Sequence, residues 1–90
     1  MWILHSSERF LKQLKKIRKT PYSRQVQKAL HSLANSGDPT KLGIRKHGEY
    51  SDAYAYDVGR SIRLIYRVNF KNLTIELLAI GSHKEVYGKD

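Results

Sequence analysis

The hydrophobic and polar positions of this chain change period along its length. Ile62, Leu64, Tyr66 and Val68 recur at every second residue, with Arg63, Ile65, Arg67 and Asn69 between them. That is the alternation of a strand with one face on a core and one face able to carry cations. Most of its residues are β-branched, aromatic or leucine, as a packed strand requires. Tyr54, Tyr56 and Val58 alternate in the same way over residues 53–58, and Gly59-Arg60-Ser61 supplies a tight turn between the two. Lys71-Asn72 is a second turn signal. The run Leu73–Gly81 after it is apolar on both faces, which predicts a strand inside the sheet.

The first half has a different period. Met1–His5 reads as a short strand, and Ser6 or Ser7 can cap a helix after it. Over Glu8–Lys19, Phe10, Leu11, Leu14 and Ile17 fall at helical spacing, with Lys12, Lys15, Lys16 and Lys19 on the opposite side. Thr20-Pro21 stops this pattern and restarts it: Thr20 can cap and Pro21 suits a first helical position. Tyr22, Val26, Ala29, Leu30 and Leu33 continue at helical spacing towards a terminator at Gly37, and Asp38-Pro39 is turn chemistry. Leu42 and Ile44 either begin a strand or dock a loop. The expected fold is α+β: two N-terminal helices packed on one face of a small, mainly antiparallel four-stranded sheet, in the order β-α-α-β-β-β. The opposite face, carrying Arg63 and approached by the tail, is left for a ligand.

Composition adds limits. Ninety residues that are 40% apolar support a single domain spanning 1–90 with one modest core. With no cysteine there is neither a disulfide nor a thiolate metal site, which suits a cytoplasmic protein. The apolar start Met1–Leu4 is too short for a signal peptide or a span, so no membrane partner is expected. The formal charge is +9, and it is uneven: residues 9–37 hold eight Lys or Arg and no acid. Such a block points to a polyanionic partner. A second basic stretch, Arg45-Lys46-His47-Gly48, precedes the meander.

Two local motifs carry a resemblance. Tyr54-Ala55-Tyr56-Asp57-Val58-Gly59 runs into Ile62-Arg63-Leu64-Ile65-Tyr66, and the chain closes on Gly81-Ser82-His83-Lys84-Glu85-Val86-Tyr87. In this order and at this length they resemble the RelE/ParE superfamily of toxin–antitoxin toxins. The resemblance implies a ribosome-dependent endoribonuclease that cuts mRNA by attack of the 2′-hydroxyl, with a cognate antitoxin, the ribosome and mRNA as partners and no cofactor or metal. It implies that Arg63 is the phosphate-binding arginine, His83 a histidine of the site and Tyr87 the late catalytic aromatic. Lys46, His47, Arg45, Arg60 and Lys84, with Lys12, Lys15, Lys16 and Lys19, are the candidates for binding RNA and phosphate. The chain departs from the family where well-known members place lysines, at Ala55 and Asp57, so the general base stays open, with His47 and Lys46 as further candidates. The chemistry is self-consistent. RNA carries its own nucleophile, histidine moves protons near neutral pH, and an arginine fork meets the charge of a phosphorane. A ParE-like inhibitor of DNA gyrase and an inactive RNA- or antitoxin-binding module are the alternative readings.

Overall fold

The alternating stretch forms a strand, Ile62–Asn69, in the computed structural model, which describes residues 1–46, 50 and 52–87. Numbered in chain order the elements are β1 (Ile3–Ser6), α1 (Glu8–Arg18), α2 (Ser23–Ala34), a single 3₁₀ turn (Pro39–Lys41), β2 (Ile44–Arg45), β3 (Tyr54–Val58), β4 (Ile62–Asn69), β5 (Thr74–Gly81) and α3 (His83–Tyr87). The strands lie side by side in the order β1-β5-β4-β3-β2. The sheet therefore has five strands, one more than the sequence pattern predicted. The added strand is β2, whose two residues pair with Tyr54 and Ala55 and are too few to show a period. The sheet is also mixed. β1 runs parallel to β5, pairing Ile3 with Thr74 and Ser6 with Leu77, while β2 to β5 form an antiparallel meander. β5 lies between β1 and β4, as its two-sided apolar character required.

Both helices lay their apolar stripes on one face of this sheet. Phe10 and Ile17 of α1 and Val26, Ala29 and Leu33 of α2 are buried in one cluster with Val58, Ile62, Leu64, Tyr66, Ile75, Leu77 and Ile80. Ser7 caps α1: its hydroxyl accepts from the Phe10 amide at 3.0 Å and donates to the Leu78 carbonyl at 3.0 Å. The joint between the helices differs from expectation. The Thr20 hydroxyl donates to the Ile17 carbonyl at 2.6 Å and accepts from the Tyr22 amide at 3.2 Å. It thus ends α1 and holds a turn, and α2 begins only at Ser23. Asn35 rather than Gly37 closes α2, its side-chain amide donating to the His31 carbonyl at 2.8 Å.

The register of β4 against β5 slips at one point. Leu64 faces Ile80 and Ile65 faces Ala79, but Tyr66 faces Leu77, so Leu78 is an extra residue on β5. This bulge reverses the alternation. Ile75, Leu77 and Ile80 thereby share the helix-covered face, while Leu78 and Ala79 serve the other. That other face is not bare, contrary to the sequence reading. Tyr50, Ala53, Ala55, Ile65, Ala79 and Val86 form a second buried cluster there, with Tyr87 packed against it. Tyr66, fully buried, ties the meander to the turn after α2: its hydroxyl donates to the Pro39 carbonyl at 2.7 Å and its ring stacks on Tyr54. Gly43 passes close by. A Cβ there would meet the Tyr66 hydroxyl at 2.7 Å and the Ala55 carbonyl oxygen at 2.9 Å, so no other residue fits.

Candidate active site

Arg63 occupies the start of β4 on the face away from α1 and α2. Its cross-strand neighbours are Asp57 on β3 and Gly81 on β5. The Arg63 Nε donates to the Asp57 carboxylate at 2.9 Å. The Asp57 side chain is 60% exposed, so water screens this pair and it adds little to stability. The guanidinium is nonetheless held above its ordinary pKa. The Tyr87 hydroxyl is the largest cause and Asp57 adds to it, against the opposing effect of burial. An arginine is charged at any working pH, and with Nε on Asp57 the rest of its fork can be offered to a second anion.

The tail is placed opposite Arg63 by a helix that the sequence pattern did not predict. Ser82 and Glu85 form a reciprocal cap. The Ser82 hydroxyl accepts from the Glu85 amide at 3.2 Å, and the Ser82 amide donates to the Glu85 carboxylate at 2.9 Å. α3 begins there, and its four-residue spacing puts His83 and Tyr87 on one side, ring centroids 4.6 Å apart. Gly81 makes the sharp exit possible. Its φ is +153°, and a Cβ on it would lie 3.0 Å from both the Cβ and a carboxylate oxygen of Glu85. Replacing Gly81 by alanine is expected to strain the backbone and push Glu85 out of its cap. We expect a loss of roughly 1–3 kcal/mol by denaturant titration, with hydrogen-exchange protection lost first in α3.

Three of the predicted residues, His83, Lys46 and Arg63, meet around the ring of a fourth, Tyr87. Tyr87 lies edge-on to Tyr50 with centroids 5.9 Å apart. The Lys46 Nζ stands 5.1 Å from its centre and the Arg63 guanidinium carbon 5.9 Å. The Tyr87 hydroxyl is buried near enough to Arg63 to favour its charge but, among the described residues, makes no hydrogen bond of proper geometry. Beside the ring a cleft of about 50 Å³ is lined by Asp57, Arg60, Ser61, Ile62, Arg63 and His83. Arg63, His83, Tyr87, Lys46 and Arg60 are thus gathered at one end of the sheet. Arg45 is turned to Asp52, 2.7 Å away on the surface, and Lys84 is exposed on α3. Lys12, Lys15, Lys16 and Lys19 do not join the cluster. They line the outer side of α1 and, with Lys19, its C-cap, and the other face of α1 packs on the opposite side of the sheet. His47 lies outside the described residues.

Sequence reasoning missed the residues that hold this arrangement. Asp57 stands out in the sequence only as a position lacking a lysine, yet its partner Arg63 faces it directly across the turn. Arg9 and Gln13 of α1 reach the far end of α3: the Arg9 guanidinium donates to the carbonyls of Glu85 and Val86 at 3.0 and 2.8 Å, and Gln13 donates to Glu85 at 3.2 Å. Ser82-x-x-Glu85 is a capping-box pattern that the sequence does display. Arg9 and Tyr50 have no local signal, since their partners are distant in the chain.

Residues 4–89 match the family described as the ParE-like toxin of type II bacterial toxin–antitoxin systems. The chain belongs to that family, within the RelE/ParE superfamily of toxin–antitoxin toxins. No curated protein matches it. Solved structures share its fold. YafQ from Escherichia coli BL21(DE3) aligns with a TM-score of 0.81 at 15% identity, over 98% of this chain and 100% of YafQ. A metal-bound toxin from Helicobacter pylori aligns at 0.79 and 24% identity, over 96% and 99% of the two chains. The toxin–antitoxin complex RelBE of E. coli aligns at 0.73 and 23%, over 91% and 96%. The protein is accordingly a toxin of a toxin–antitoxin pair, and among the described residues no helix is long and apolar enough to cross a membrane.

Proposed function

We propose that this toxin is a ribosome-dependent endoribonuclease that cuts mRNA at the cluster around Tyr87. The observation that carries this reading is the convergence of an arginine fork, a histidine and further cations on one exposed end of the sheet: Arg63, His83, Lys46 and Arg60. In the proposed reaction the 2′-hydroxyl gives up its proton and its oxygen attacks the adjacent phosphorus. The bond from phosphorus to the 5′-oxygen breaks, and that oxygen takes a proton. The products are a 2′,3′-cyclic phosphate and a 5′-hydroxyl. Arg63 and Lys46 offset the charge that builds on the phosphorane. His83 moves a proton. Tyr87 gives the RNA an aromatic surface and holds His83 in place. The basic outer side of α1, remote from the cluster, grips ribosomal RNA in this reading. RelBE of E. coli and YoeB–YefM of Staphylococcus aureus are toxin–antitoxin complexes, and a cognate antitoxin is proposed here too.

Primer extension on mRNA from a cell-free translation reaction tests this. The wild-type protein is expected to leave cuts within codons, and His83→Ala to reduce them by about a hundredfold or more. Cuts that survive that substitution would transfer the proton step to Lys46. Intact mRNA with the wild type would overturn the nuclease reading. Inhibition of DNA gyrase is the second reading. One observation favours it: the family model that matches residues 4–89 is that of the ParE-like toxins. A supercoiling assay decides it.

A further inference from the structure

The five-residue helix α3 is too short to hold its own shape in water, since a helix this size lacks the length to repay nucleation. Its cap fixes the beginning of the helix, where His83 sits. Tyr87 is at the other end, and what fixes that end comes from outside. Arg9, on the first turn of α1, donates from one nitrogen to the Tyr50 hydroxyl and from the other to the carbonyls of Glu85 and Val86. The Tyr50 hydroxyl in turn donates to the Val86 carbonyl at 2.8 Å. Gln13, one turn further along α1, donates to Glu85 and accepts from the Ile80 amide at 2.9 Å, so it ties β5 to α3 as well. The last carbonyls of a helix are orphaned and carry partial negative charge, and a cation with a planar fork satisfies both needs. Tyr50 is buried, its ring is edge-on to Tyr87, and Val86 is fully buried beneath them.

We infer that Arg9, acting with the Tyr50 hydroxyl, is the positioning residue that locks the end of α3 so that Tyr87 and His83 face Arg63. The inference rests on the proposed nuclease reading for its kinetic consequence, but not for its structural one. Arg9 is a cation on the surface, so the rival role is direct contact with RNA, and the two differ in what they change. A positioning residue moves kcat, because misplacing a reacting group raises the barrier while leaving most of the binding contacts in place. A phosphate contact moves KM.

The experiment compares wild type, Arg9→Ala, Arg9→Lys and Tyr50→Phe by two readouts. The first is the set of ring-to-ring nuclear Overhauser effects between His83 and Tyr87 in the free protein. The second is steady-state cleavage of mRNA on programmed ribosomes. All three variants are expected to weaken the ring contacts and to lower kcat about tenfold, with KM within about twofold of wild type. Tyr50→Phe changes no charge and keeps the buried ring, so a loss there cannot come from a missing phosphate contact, and the dispersion of its nuclear magnetic resonance spectrum reports directly that it is folded. Arg9→Lys keeps the charge but not the fork. A raised KM with unchanged kcat in Arg9→Ala, matched by full activity in Tyr50→Phe, would overturn the inference in favour of RNA contact. Ring contacts intact in Arg9→Ala and Tyr50→Phe would overturn it outright. If the wild-type protein cuts no mRNA, the nuclease reading fails on its own and the ring contacts alone decide the positioning role.

Discussion

Replacing Arg63 by alanine is expected to lower mRNA cleavage by at least about a hundredfold, the usual cost of deleting one donor aimed at transition-state charge. The loss should fall on kcat as well as on KM, because the charge on the phosphorane exceeds that on the ground-state phosphate. Folding should be nearly unaffected, since the ion pair that is lost is a screened one at the surface. Asp57→Asn is the informative partner. It removes the carboxylate that now holds the Arg63 Nε and leaves a neutral group of the same shape. A phosphate no longer competes with Asp57, so KM is expected to fall about threefold, a difference typical of one exposed charge contact. Single-turnover cleavage on programmed ribosomes, at several RNA concentrations, measures both. An Arg63→Ala protein that cuts at the wild-type rate would remove the phosphate fork from this site.

Tyr66→Ala should cost about 3–5 kcal/mol by chemical denaturation, the range for emptying a buried aromatic position. That is a large part of the roughly 5–15 kcal/mol that holds a small domain together. The ring stacks on Tyr54 in the core, and the hydroxyl anchors the Pro39 carbonyl at 2.7 Å. Tyr66→Phe isolates the second contribution, and an unpaired buried carbonyl should cost about 1–3 kcal/mol. There is also a pH signature. Burial, first of all, pushes the Tyr66 phenol well above its ordinary value, with Tyr54 and Tyr56 adding to it. The folded protein thus keeps a proton that the unfolded chain releases above pH of about 10. The contribution is full below that pH and is lost as the pH rises towards the folded-state value. Wild type should lose stability above about pH 10 faster than Tyr66→Phe, as the difference between their denaturation midpoints will record.

Much of this fold was legible because the apolar pattern carried it. The period of two over residues 62–69, the turn at Gly59 and the two-sided run before Gly81 each correspond to an element the structure contains. What stayed hidden was set by contacts between distant residues. The bulge at Leu78 is one such case: an unbroken apolar run looks the same with or without an inserted residue, and only the partner strand reveals the slip. The covering of the second face is another. It depends on Tyr50 and Val86 meeting across 36 residues, which no local window contains. Two motifs flagged Arg63, His83 and Tyr87, the side chains that the fold gathers in the candidate site. Asp57 could have been found from the turn alone. A two-strand hairpin closed at Gly59 puts Asp57 opposite Arg63, and opposite charges facing each other across a ladder attract.

The parallel pairing of β1 with β5 joins Ile3 to Thr74, the first strand to the last. Contacts this far apart in sequence form late, because the whole intervening chain must be ordered before they are rewarded. β5, which lies between β1 and β4, comes after both in the chain, and α3 follows it directly. A nascent chain that lacks β5 has no seat for β1, no surface for Ser7 and Gln13 to dock on, and neither His83 nor Tyr87. The order of synthesis therefore leaves the sheet open until β5 and α3 have emerged, and the cluster around Tyr87 is put together only by that closure.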